Sequence, residues 1–170
     1  MEASNSDIVI VHPNRQGPEA KATKAAVILL LLTSAAITAI ITFGGWSKLE
    51  GAQMSAIFYI VIYLVIAYFV GKWNRGVLPV AAALAILFAV VAIVAAPAWF
   101  DRDKVGFADP TLPPGILGLL TAVLVPVQLL LIAFALRAFQ QKWNIEVEVT
   151  RDEANKSYGG RSEAKPAPAG

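Results

Sequence analysis

Four long runs of this chain contain no charged residue, and short polar segments separate them. The runs cover residues 25–47, 51–71, 76–100 and 110–136, with lengths of 23, 21, 25 and 27 residues. An α-helix rises about 1.5 Å per residue, so each run is long enough to cross a bilayer core of roughly 30 Å. A soluble bundle would need a polar face on each helix, and these runs have none. The pattern predicts an all-α integral membrane protein with a bundle of four transmembrane helices.

Helix-end residues refine the span boundaries. Gly44-Gly45 suits the end of the first helix, while Pro79 and Pro113-Pro114 suit the first turns of the third and fourth helices. We predict a transmembrane bundle over 25–140, with spans at about 25–46, 52–72, 78–98 and 114–140.

One short sequence motif ends the second span and recurs at the end of the fourth. The two copies, 70 residues apart, are Phe69-x-x-Lys72-Trp73-Asn74 and Phe139-x-x-Lys142-Trp143-Asn144. Because the motif lies at the ends of the second and fourth spans, it divides the chain into two helix hairpins of the same orientation. It fits either an ancestral duplication or the same boundary chemistry arising twice, with Asn as a left-handed helix cap.

Tryptophan and lysine mark the predicted membrane–water boundaries. The indole ring is half apolar, and the lysine ammonium reaches water, so both suit such a boundary. We assign six membrane-interface anchors: Trp46, Trp73, Trp99, Trp143, Lys72 and Lys142.

Basic residues are distributed unequally between the two sides of the predicted bundle. The N-tail, the 72–76 loop and the C-tail share one side, which holds eleven Lys and Arg residues. The other side holds three, namely Lys48, Arg102 and Lys104. Because basic loops stay in the cytoplasm, both termini are predicted to be cytoplasmic. Short tails and spans rich in Ala and Val favour a bacterial plasma membrane.

Two β-prone segments lie on that predicted cytoplasmic side. Residues 8–11 read Ile-Val-Ile-Val, and residues 145–150 alternate apolar and polar side chains. We predict that they pair as a small two-stranded ribbon held together by the spans, since two strands alone are marginal in water. Two extended arms, or a fourth span continuing as helix, are the alternatives.

The remaining segments are a polar N-tail over 1–24, a juxtamembrane β-prone segment over 141–150 and a C-tail over 151–170. The C-tail is charged and then rich in Gly, Ala and Pro, which predicts disorder.

The amino-acid composition argues against most kinds of catalytic site, metal site and cofactor site. The chain has no cysteine, and its one histidine, His12, lies in the N-tail, so disulfides, thiolate metal sites and histidine-ligated haem in the spans are excluded. No nucleophile–base pair and no phosphate-binding glycine loop is visible. A net charge of +2 is too small to indicate nucleic-acid binding. We therefore expect no enzymatic activity, no cofactor and no metal.

The most polar side chain deep in a span is that of Gln128. Pro126, two residues earlier, lacks a backbone donor and leaves the carbonyl of Ala122 without its usual partner. We predict a candidate midplane polar site that comprises Gln128, Pro126, Thr38, Tyr59 and Tyr63. The alternative is that Gln128 bonds to a Thr or Tyr of a neighbouring span and ties the bundle.

Small or hydroxyl-bearing residues at helical spacing predict where the helices touch, because close packing drives helix association in lipid. Such stripes are Ser34, Thr38 and Thr42 in span 1; Ser55, Tyr59, Tyr63, Ala67 and Gly71 in span 2; Ala81, Ala85, Ala89, Ala92 and Ala96 in span 3; and Gly118 and Ala122 in span 4. The alternative is that a stripe lines a pore. The outer segment 101–109 carries three Asp residues but two cations and no terminal Glu. We expect a solvated loop there rather than a calcium site.

These observations favour a non-catalytic polytopic membrane protein. It would be an accessory or scaffolding subunit of a larger complex, or a small homo-oligomer, with the lipid bilayer and other membrane subunits or itself as partners. The alternative is a small transporter or channel for a neutral or hydrophobic solute, with Gln128, Thr38, Tyr59 and Tyr63 lining its path. A lipid-modifying enzyme is disfavoured because catalytic groups are missing.

Overall fold

The computed structural model describes residues 8–49, 51–101, 110–158 and 165–166. Within these ranges the chain is mostly helical. The elements are β1 (Ile8–Val11), α1 (Pro13–Gln16), α2 (Pro18–Gly44), a 3-10 turn (Trp46–Lys48), α3 (Gln53–Gly71), α4 (Val77–Asp101), α5 (Pro114–Gln140), β2 (Val147–Thr150), α6 (Arg151–Tyr158) and β3 (Lys165–Pro166).

Four of these helices, α2 to α5, are long and apolar enough to cross a membrane. The predicted spans match α3 and α5 to within a residue. α2 begins earlier than expected, at Pro18, because a proline in the first helical turn is favourable and polar residues continue the helix beyond the apolar run. α4 runs through Pro97 to Asp101, three residues beyond the predicted end.

The four long helices pack in the spatial order α3–α2–α5–α4. α2 packs on α3, α5 packs on both α2 and α4, and α3 and α4 touch each other little. The predicted stripes of α2 and α4 lie inside: Ser34, Thr38 and Thr42 of α2 are buried, as are all five alanines of the α4 stripe. The stripe of α3 is buried at Tyr63 and Ala67 but exposed at Ser55. Short side chains let the backbones approach closely.

Close packing also explains two glycines near one end of the bundle. A Cβ atom on Gly45 would lie 2.5 Å from the Trp99 ring, and one on Gly118 would lie 2.9 Å from the Phe100 ring. Neither distance is tolerable between carbon atoms, so a larger residue at either position would require the facing ring to shift. α2 ends at Gly44, as the sequence predicted.

The predicted ribbon forms. β1 and β2 pair antiparallel, with Ile8 opposite Thr150 and Val11 opposite Val147. The two-residue β3 pairs with the other edge of β1, so the strand order is β2-β1-β3. We call this end of the bundle, where α3 and α5 finish, the sheet end, and the opposite end the far end.

The C-tail differs from the predicted disorder over 151–170, because α6 follows β2 directly. Its first turn is closed by a capping box. The Glu153 amide donates to the Thr150 hydroxyl at 3.3 Å, and the Thr150 amide donates to the Glu153 carboxylate at 3.3 Å. Ala154 then packs on Val9 and Val11. The rest of that tail apart from β3, the first seven residues and most of the 101–109 segment lie outside the described residues.

Candidate functional site

A chain of hydrogen bonds joins three helices in the middle of the bundle. Gln128 of α5 is fully buried. Tyr63 of α3 donates its hydroxyl to Gln128 Oε1 at 2.8 Å, and Gln128 Nε2 donates to Ser34 Oγ of α2 at 3.0 Å. Ser34 Oγ in turn donates to the backbone carbonyl of Leu30 at 2.8 Å. The chain therefore ends within the backbone of α2.

Each side-chain nitrogen and oxygen atom of this network has a hydrogen-bond partner inside the bundle. Among the residues that the structure describes, every buried side-chain nitrogen or oxygen has a hydrogen-bond partner. None of Tyr63, Gln128 and Ser34 is an acid or a strong base at neutral pH. This arrangement can hold helices in register, but it supplies neither a nucleophile nor a proton relay.

In the described part of the chain, none of the other predicted site residues is hydrogen-bonded to these three side chains, although Tyr59 contacts the Tyr63 ring edge to face, with centroids 5.9 Å apart. Thr38 donates to the Ser34 carbonyl of its own helix at 2.7 Å, and Tyr59 stacks on Phe88 at 4.5 Å between ring centroids. Pro126 is exposed. The sequence grouped Gln128 with Tyr63 and missed Ser34 as their partner. The stripe at 34, 38 and 42 already placed the Ser34 hydroxyl on the inner face of α2.

The two copies of the repeated motif meet at the sheet end. The Trp73 and Trp143 rings contact edge to face, with centroids 5.1 Å apart. Trp143 is fully buried, and its indole N–H donates to Gln141 Oε1 at 3.0 Å. Lys24 of α2 lies over the Trp73 ring at 4.0 Å. Three helices are therefore joined here as well.

Cationic and amide side chains satisfy the carbonyls where α5 ends. Arg75 Nε donates to the Phe139 carbonyl at 2.7 Å, and its guanidinium lies 3.9 Å from the centroid of the Phe139 ring. Arg15 Nε donates to the Trp143 carbonyl at 2.7 Å, and Asn14 donates to the Lys142 carbonyl at 3.1 Å. Positive charge is favourable at a helix C-terminus because the terminal carbonyls carry partial negative charge.

Asn does not serve as the left-handed cap that the sequence suggested. The described non-glycine residues with positive φ are Trp73, at 61°, and Lys142, at 51°. Asn74 instead accepts a bond from the Gly76 amide at 2.9 Å and closes the next turn. The left-handed backbone conformation therefore occurs at Trp73 in the first copy of the motif and at Lys142 in the second.

The predicted interface anchors differ in how far their side chains are buried. Trp99 and Trp143 are enclosed by protein, because Trp99 packs on Gly45 and Trp143 packs on Trp73. Trp46 is exposed and stacks on Phe43. Lys72 and Lys142 are exposed, and Trp73 is half-buried. An outward-facing indole ring, as expected of an anchor, is present at Trp46 alone among the four tryptophans.

An apolar cavity of about 230 Å³ lies in the far half of the bundle. All four long helices contribute to its lining, which includes Thr42, Tyr59, Ala92, Trp99 and Thr121. A neighbouring groove of about 460 Å³ runs between the turn that precedes α3 and the second half of α4. Both lie on the side of the bundle where α3 and α4 make few contacts with each other.

Within the described residues, no group of three or more His, Cys, Asp or Glu side chains is placed to hold a metal ion. No family model, no curated protein and no solved structure matches the chain.

Proposed function

We propose that this chain is a non-catalytic multi-pass membrane protein. In this proposal it is a scaffolding or accessory subunit of a membrane complex, or a small homo-oligomer. The observation that carries the proposal is the closed Tyr63–Gln128–Ser34 chain. The deepest polar side chains are used to tie three helices together. A pathway or an active site at that depth would need polar groups left available to a solute.

The proposed location is a bacterial plasma membrane, with the sheet end and both termini in the cytoplasm. The charge bias supports this orientation, since Arg15, Lys24, Arg75 and Arg137 all lie toward the sheet end of the described chain. At the far end the described helix-linking turn carries Lys48 alone of the basic residues.

Co-purification from the native membrane tests the proposed role. The chromosomally tagged protein is extracted in mild detergent, and the complex is sized and analysed by mass spectrometry. We expect either a defined partner at fixed stoichiometry or a homo-oligomer that persists on dilution. A strictly monomeric protein with no reproducible partner, also after cross-linking in intact membranes, would refute the proposal.

Passage of a neutral or hydrophobic solute is the second candidate function, and the far-half cavity favours it. Purified protein in liposomes, compared with empty liposomes, tests this directly by uptake or conductance. Saturable flux that is lost in Ala95→Leu, which fills the cavity wall, would favour transport over the scaffolding role.

A further inference from the structure

We propose that the far-half cavity and groove bind one anionic phospholipid, with an acyl chain in the cavity and the phosphate beside Lys48. This inference goes beyond the scaffolding role, but it rests on insertion of the four helices in a bilayer. Four observations carry it: the chemistry of the lining, the length of the cavity, its lateral opening and the charge at its mouth.

The lining is apolar although it includes three threonines. Thr38, Thr42 and Thr121 each donate their hydroxyl to the carbonyl four residues earlier in their own helix, all at 2.7 Å. With the hydroxyls committed to the backbone, the methyl groups remain for the cavity. Tyr59, another lining residue, stacks its ring on Phe88. A polar solute that entered the cavity would lose hydrogen bonds with water without gaining comparable ones. A hydrocarbon chain has no such hydrogen bonds to lose.

The cavity has the length of one bilayer leaflet. Its lining on α4 extends from Phe88 to Trp99. At about 1.5 Å per residue this is about 16 Å, close to half of the roughly 30 Å hydrocarbon core. An apolar cavity of about 150 Å³ stays dry and holds benzene, so the 230 Å³ here is sufficient for a longer stretch of hydrocarbon.

The groove gives the cavity a lateral entrance between the turn that precedes α3 and the second half of α4. The cavity and the groove share five lining residues: Leu49, Ala52, Val91, Ala95 and Trp99. Within a bilayer this side of the bundle faces acyl chains. An unfilled void would forfeit dispersion contacts along its walls, so hydrocarbon from the surrounding lipid is the favoured occupant.

Lys48 supplies the charge at the mouth. It is the charged residue of the groove lining, and it stands in the turn just before α3. A lysine ammonium on its flexible stem binds phosphate as a point charge and reaches the depth of lipid headgroups. In the described part of the groove lining, an apolar slot lies below one cation. This arrangement is complementary to an anionic phospholipid more than to a zwitterionic one, whose own cation competes for the phosphate.

Native mass spectrometry of the full chain in mild detergent tests the proposal. The protein is titrated with phosphatidylglycerol and, separately, with phosphatidylcholine of the same chains. We expect one phosphatidylglycerol to remain bound and to be preferred over phosphatidylcholine by at least threefold. Ala95→Leu, which fills the shared wall, should weaken binding of both lipids by about tenfold. Lys48→Gln should remove the preference while leaving phosphatidylcholine binding unchanged.

The matched control is Ala83→Leu, the same change at an exposed position of α4 outside the cavity and groove. It should bind both lipids as the original protein does. If Ala95→Leu does not fold, Ala52→Leu at the mouth replaces it. Resistance to alkaline extraction from membranes is measured first. An inserted protein that retains no lipid at one-to-one stoichiometry, or an Ala95→Leu variant that binds normally, overturns this inference and leaves the scaffolding proposal intact.

Discussion

At the scale of single residues, Gln128 is the polar side chain that links α5 to both α2 and α3. Its amide has one donor bond to Ser34 and one acceptor bond from Tyr63, and it is fully buried. Removing Gln128 leaves the Tyr63 hydroxyl without its acceptor in a low-dielectric interior, which costs more than the bond itself contributes. Its position was predictable from sequence, since it is the most polar side chain of its run.

A double-mutant cycle on Tyr63 and Gln128 should show coupling. Tyr63→Phe and Gln128→Leu are each expected to destabilise the bundle, and the double variant by less than their sum. The coupling free energy should be about 0.5–1.7 kcal/mol, the range of interhelical hydrogen bonds in membranes. Reversible unfolding in mixed detergent micelles measures it. Tyr68→Phe, at an exposed position of the same helix, is the control and should change stability little. Strict additivity would show that the 2.8 Å bond carries no net energy.

At the scale of elements, the end of α5 depends on residues far away in sequence. Arg75 follows α3 and yet donates to a carbonyl of α5, and Arg15 reaches the same region from the N-terminal segment. Arg75→Lys keeps the charge but loses the planar donor group and its stacking on Phe139. We expect a loss of about 1.5–3 kcal/mol, comparable to one hydrogen bond of a charged group.

Hydrogen exchange checks this prediction locally. The amides of residues 141–145 should exchange faster in Arg75→Lys, whereas those in the middle of α5 should not change. Arg137→Lys is the matched control, because Arg137 is exposed and its contact with Glu19 is long, at 3.8 Å. Equal effects of the two substitutions would contradict a specific capping role for Arg75.

The strand register permits a sharp test, because the chain contains no cysteine. Ile10 lies opposite Glu148, so Ile10→Cys combined with Glu148→Cys should form a disulfide on mild oxidation. Ile10→Cys combined with Val147→Cys should not, since adjacent strand residues point to opposite faces. A mobility shift on non-reducing gels separates the two. Equal cross-linking of both pairs would mean that the register slips.

The sequence predicted the helices and strands better than the contacts between them. Charge-free runs determined four long helices, and period-two alternation located β2. α6 was missed because Gly, Ala and Pro at the end of the tail outweighed the Thr150-x-x-Glu153 box at its beginning. The burial of Trp99 and Trp143 could not be foreseen, because it depends on Gly45 and Trp73, which are distant in sequence.

At the scale of the whole molecule, the proposed orientation predicts which ends are accessible from outside the cell. Ser47→Cys in the far-end turn should react with a membrane-impermeant maleimide on intact cells. Asn155→Cys on α6 should react only after the membrane is opened. Both positions are exposed, so burial does not prevent labelling. Labelling of Asn155→Cys on intact cells would reverse or abolish the proposed topology.

The antiparallel pairing of β1 with β2 also determines when the sheet end is completed. Ribosomes add about 5–20 residues per second, so β1 emerges on the order of 10 s before its partner strand exists. During that interval all four long helices are synthesised, while Val9 and Val11 have neither β2 nor Ala154 to cover them. Closure of the sheet is therefore a late, long-range step. A nascent chain truncated before residue 147 would display an uncovered strand, the kind of feature that quality-control proteases and chaperones recognise.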